Sequence, residues 1–148
     1  MEISVRGKNN KLTKKEIRDI ISFSSKILLG KRLSKYVSIT VLNSKLKKYE
    51  WGYCGPTDWN NSKRREFEIL LNNSASRKNQ IITILHEMVH LKQYTRNELV
   101  QYHNDKYKWL GKKIRIETTQ YETLPWEIEA TKTEKVLFEL YREHVRSQ

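Results

Sequence analysis

The sequence predicts an α+β domain, and three observations lead there. Two stretches, 13–30 and 76–91, carry apolar residues at helical spacing. Three short stretches between them alternate apolar and polar residues with a period of two. A last helical pattern opens at Leu124-Pro125-Trp126 and runs towards Gln148. A small mixed sheet among helices follows, and 148 residues suit one compact domain, 1–148, large enough to bury a core.

Each element has a local cause. Thr13-Lys14-Lys15-Glu16 reads as a capping box, in which the threonine oxygen and the glutamate close the first helical turn reciprocally. Ile17, Ile20, Ile21, Ser24, Ile27 and Leu28 then fall on one face, and Gly30 suits the stop. Val37, Ile39 and Val41 alternate with Ser38 and Thr40 as a strand. Trp51 and Tyr53 repeat that spacing ahead of a Gly55-Pro56 turn. Phe67, Ile69 and Leu71 make a third strand that ends at Asn72-Asn73. From Ser76, Ile81, Ile82, Ile84, Leu85, Met88, Val89 and Leu91 cover most of a cylinder, so this helix is expected to be largely buried. The polar segment 97–105 is expected as a short helix or loop, and 107–116 as a hairpin or extended excursion. Trp51, Tyr53 and Trp59 are expected in the core, and Cys54 packed rather than reactive.

Composition narrows the class. A single cysteine cannot form an internal disulfide or a multi-cysteine metal site, which excludes a stapled secreted scaffold. The longest apolar run, IITIL at 81–85, is far short of a membrane span, and the N-terminal residues lack a signal-peptide pattern. The expectation is a cytoplasmic monomer in a reducing compartment. There are 29 Lys and Arg against 17 Asp and Glu, a net charge of +12 that favours an anionic partner or serves solubility.

His86-Glu87-Met88-Val89-His90 carries the chemistry. Residues i and i+4 of a helix share a face, so two imidazoles can reach one Zn²⁺ at ~2.0–2.1 Å. Glu87, beside the first histidine, is placed as general base toward water. Thr83, His86, Glu87 and His90 form one narrow polar stripe, and no Lys or Arg occurs between Asn79 and Leu91. Cations are missing where a divalent ion would repel them. A catalytic zinc takes a third protein ligand and keeps its fourth position open. His103 is one candidate, and the carboxylates Glu127 and Glu129 are the other. Glu127 lies in a first helical turn, where the macrodipole stabilises the anion.

HEMVHLKQY at 86–94, Trp109-x-Gly111 and PWEIEA at 125–130 resemble the small SprT-like zinc metallopeptidases of phage genomes, over roughly residues 67–137. The order strand, HExxH helix, Glu-bearing helix is also similar to the gluzincins. That resemblance implies a zincin-like fold, a zinc metalloendopeptidase acting on a protein or peptide substrate, and, for a phage protein, the host cytoplasm. It makes Glu127 the third ligand with His86 and His90, as first residue of a Glu-x-x-Ala-Asp/Asn pattern. Thr131 stands where that pattern has the residue supporting a histidine ligand. Other SprT-like members use a third His, which keeps His103 in reserve. The resemblance also implies that the strand at 66–71 lies along the cleft and pairs with extended substrate. Tyr94 and Tyr121 are both candidate oxyanion donors. Two rival readings are a regulatory peptidase with one dedicated target and a nucleic-acid-associated protein with a structural or vestigial zinc site. The clusters Lys45-Leu46-Lys47-Lys48 and Lys112-Lys113 support the second.

Overall fold

The computed structural model describes residues 1–47, 51–59, 61, 63–116 and 120–148. The chain is mixed α+β. Strand β1 (Glu2–Arg6) leads to helices α1 (Lys14–Leu28) and α2 (Gly30–Ser34), and then to strands β2 (Ser38–Ser44), β3 (Gly52–Pro56) and β4 (Glu66–Asn72). Helix α3 (Arg77–Thr95) is followed by strands β5 (Leu99–His103), β6 (Lys106–Trp109) and β7 (Lys112–Arg115), and by helix α4 (Pro125–Arg146).

Local signals act as the sequence predicts at several points. The Thr13 hydroxyl accepts from the Glu16 amide at 3.0 Å, and the Glu16 carboxylate accepts from the Thr13 amide at 3.2 Å. Gly30 takes φ +79°, the left-handed conformation that ends α1 cheaply at glycine. Ser76 caps α3 through the Asn79 amide, and Pro125 opens α4, where its missing N–H costs nothing. Ile17, Ile20 and Ile21 of α1 are fully buried, each stabilising the fold by ~1.5–3 kcal/mol.

The first sheet has the order β1-β2-β4-β3. β1, β2 and β4 are parallel neighbours, while β3 runs antiparallel to β4 at the edge. Phe67, Ile69 and Leu71 of β4 point into a core shared with Ile84, Leu85 and Met88 of α3. α3 is the buried centre of the molecule, in contact with α1, α4, β3 and β4. Among the described residues no helix is long and apolar enough to cross a membrane.

Three expectations are corrected, and one strand adds to those the sequence predicts. β1 pairs in parallel with β2; its two apolar residues, Ile3 and Val5, make too short a pattern to stand out in the sequence. The segment 97–105 contains β5, which pairs with β6, while the expected hairpin at 107–116 is β6–β7. Leu99, Tyr107, Trp109 and Ile114 gather on Leu124 and Trp126 as a second small core, so tertiary packing makes a polar-looking segment extended. Trp51, Tyr53 and Trp59 are exposed rather than core, since β3 lies at the sheet edge and the turn after it is open to solvent. β4 is paired on both sides, so its backbone has no edge to offer a peptide; β3 holds that position. Cys54 is buried as expected.

Candidate metal centre

α3 presents His86 and His90 one turn apart, and the first turn of α4 brings Glu127 to them. The two Nε2 atoms lie 3.2 Å from each other. Glu127 Oε1 is 3.1 Å from His86 Nε2, and its Oε2 is 2.9 Å from His90 Nε2. One donor atom from each of the three residues lies within 4.8 Å of the others. Tetrahedral ligands at ~2.0–2.1 Å from a zinc ion sit about 3.4 Å apart, close to these spacings.

The outer ring nitrogens are also held. His86 Nδ1 faces Glu134 Oε2 at 2.9 Å, and His90 Nδ1 faces Gln93 Oε1 at 2.8 Å. Gln93 is oriented by its own amide, which donates to the Trp126 carbonyl and to Glu129, both at 3.0 Å. Acceptors at both Nδ1 atoms draw the protons there and leave two Nε2 lone pairs converging beside a carboxylate. Such a crowd of lone pairs is repulsive unless a cation or extra protons occupy it. The donor set therefore fits a divalent metal.

Electrostatics describe the same cluster with protons in place of metal. Burial opposes charge on His86, but its bonds to Glu127 and Glu134 outweigh that and raise its pKa to about 10. His90 is raised likewise, against burial, chiefly by Glu127. Burial pushes Glu127 up, yet the two histidines hold it down at about 2. Glu87 is raised, first by burial, with the histidines pulling the other way.

Next to the cluster is a cleft of about 970 Å³. Glu87 and Glu127 line it with Tyr121, and Trp51, Ile82 and Ile128 form its apolar parts. Gly52 of β3 lets the edge strand approach α3 closely, because a Cβ there would stand 2.6 Å from Thr83 Cγ2 and 2.9 Å from the Leu70 carbonyl oxygen. Its next contact is Glu87 Cγ at 3.7 Å, so the edge strand runs directly past the glutamate.

No family model, curated protein or solved structure matches this chain. The site stands on its own geometry.

Of the residues singled out in the sequence, His86, Glu87, His90 and Glu127 come together. His103 is exposed at the end of β5, outside the cluster. Glu129 turns to Lys92 and Gln93, acting one layer behind His90. Tyr121 lines the cleft beside Glu127, whereas Tyr94 packs against Phe67 and Trp59. Burial raises both hydroxyls above their ordinary value. Trp109, of the Trp-x-Gly motif, packs on Trp126. Lys112 and Lys113 lie on β7, and Lys48 falls outside the described residues.

Sequence reasoning missed Glu134, Gln93 and Gly52. Glu134 is seven residues after Glu127, two turns along the same face of α4, and Gln93 is three after His90. That spacing was the available signal. Glu134, one turn after Thr131, is the residue that contacts His86 Nδ1.

Proposed function

We propose that this chain is a zinc-dependent metallopeptidase, with His86, His90 and Glu127 holding the ion and Glu87 as general base. One observation carries the reading: two histidine Nε2 atoms, with both Nδ1 atoms anchored, converge on a helix-borne carboxylate at the wall of an open cleft. Zn²⁺ supplies Lewis acidity there and lowers the pKa of water. Glu87 takes the proton from the attacking water at its carboxylate and delivers it to the amide nitrogen that leaves. Its burial favours that role, since a raised carboxyl pKa brings the proton-holding form nearer to working pH. Tyr121, which lines the cleft, donates a hydrogen bond to the oxygen that gains charge. The edge of β3 supplies the backbone partners for an extended peptide, in place of β4.

The support for catalysis over a purely structural ion is the cleft together with the ligand count. Structural zinc sites are closed by four protein ligands, and the cluster among the described residues has three. The test is Glu87→Gln in zinc-loaded protein, assayed on a peptide library by mass spectrometry. Cleavage falls by ~10²–10⁴-fold while zinc stoichiometry is unchanged. Equal cleavage by the variant removes Glu87 from the mechanism, and protein that cannot be loaded with zinc removes the whole reading.

A further inference from the structure

The three-stranded sheet β5–β7 has an inner and an outer face of opposite character. Tyr107 and Trp109 of β6 point inward and pack on Trp126, with ring centroids 5.3 and 6.2 Å away. Ile114 of β7 joins the same small core. Successive strand residues point to opposite faces, so Lys106 and Lys108 of β6 and Lys113 and Arg115 of β7 share the outer one. The register sets these residues directly opposite one another, Lys106 facing Arg115 and Lys108 facing Lys113.

Like charges facing across strands destabilise a sheet, and this sheet is small. The facing Lys108 and Lys113 are a cost that folding does not require, since glutamate at either position would relieve it. An exposed aromatic lies among them: Tyr102 is 46% exposed, and the Lys108 ammonium stands 5.6 Å from its ring centre. A cationic ladder neutralises a chain of phosphates, and a ring beside it stacks on an unpaired base. A duplex keeps its base faces covered, and an acidic protein offers the ring no base to stack on.

We propose that the outer face of β5–β7 binds single-stranded nucleic acid, with Lys106, Lys108 and Lys113 on the phosphates and Tyr102 stacked on a base. The face is independent of the metal centre, so this proposal and the peptidase reading stand or fall separately.

The experiment measures fluorescence anisotropy of a labelled 20-nucleotide oligothymidine, and of a duplex of equal length, over a salt series. The single strand binds more tightly. The three lysines contribute about −2 to the slope of log K against log salt, at ~0.7 per phosphate. Replacing all three by Gln weakens binding by roughly tenfold or more and flattens the slope by that amount. Tyr102→Ala weakens it by at least about fivefold. A control replacing the exposed Lys14, Lys15 and Lys35 by Gln makes the same change in net charge and has less than about a threefold effect. Lys113→Glu, which sets opposite charges across β6 and β7, raises the melting temperature while it lowers affinity, so lost binding is not lost folding. Equal losses in the control, tighter binding of the duplex, or no binding at low salt each overturn the proposal.

Discussion

Replacing Glu134 by Gln tests whether the layer behind the histidines tunes the proposed metal centre. The 2.9 Å contact from Glu134 to His86 Nδ1 is shielded, with side-chain exposures of 19% for the histidine and 17% for the glutamate. Glutamine keeps an acceptor oxygen and removes the charge. A hydrogen bond to a charged group contributes ~1.5–3 kcal/mol and a neutral one ~0.5–1.5, so the substitution costs about 1–1.5 kcal/mol. Zinc affinity then falls about tenfold, and up to ~100-fold for Glu134→Ala, which leaves Nδ1 without its partner. Competition against a chromophoric chelator at constant pH reads this directly. Glu139→Gln is the control, since Glu139 lies on the exposed side of α4 and bonds Arg142. Unchanged affinity in Glu134→Ala, or an equal loss in Glu139→Gln, refutes the reasoning.

Other outcomes follow from the same geometry. Gly52→Ala drives a Cβ to within 2.6 Å of Thr83 Cγ2, and the overpacking destabilises the protein by ~1–3 kcal/mol, read as a lower midpoint in urea. Without metal, His86 is raised to about 10, so its contribution to stability is complete below its unfolded value near 6.5 and is lost as pH rises through about 10. Zinc must displace that proton, so its apparent affinity increases from pH 6 towards pH 10, and calorimetry in buffers of different ionisation enthalpy shows proton release on binding. Glu16 is held below its ordinary value, chiefly by its hydrogen bond to Arg77. Its contribution is therefore present above its unfolded pKa and lost as pH falls. Glu16→Gln lowers stability at pH 7 by no more than about 1 kcal/mol after solvent screening, and the difference disappears near pH 2 in urea titrations.

Helix ends and buried helical faces were legible because their causes are local. The Thr13 capping box, the Gly30 stop, Pro125 and the apolar spread of α3 each act within a few residues of chain. The short strand β1 and the strand β5 were not legible, because what makes them extended is a partner elsewhere: β2 for the first, β6 and Trp126 for the second. Trp51 and Tyr53 misled for a related reason. Alternation marks a strand, but whether that strand lies inside the sheet or at its edge is a matter of strand order.

The same division holds at the site. The sequence alone determined that His86 and His90 share a helical face with Glu87 beside them, since a 3.6-residue period demands it. It reduced the third donor to a short choice and went no further. The packing of α3 against α4 made that choice, drawing Glu127 in, leaving His103 at the end of β5, and setting Glu134 and Gln93 behind the imidazoles. A contact spanning some 40 residues depends on how two helices cross, and no local pattern encodes that.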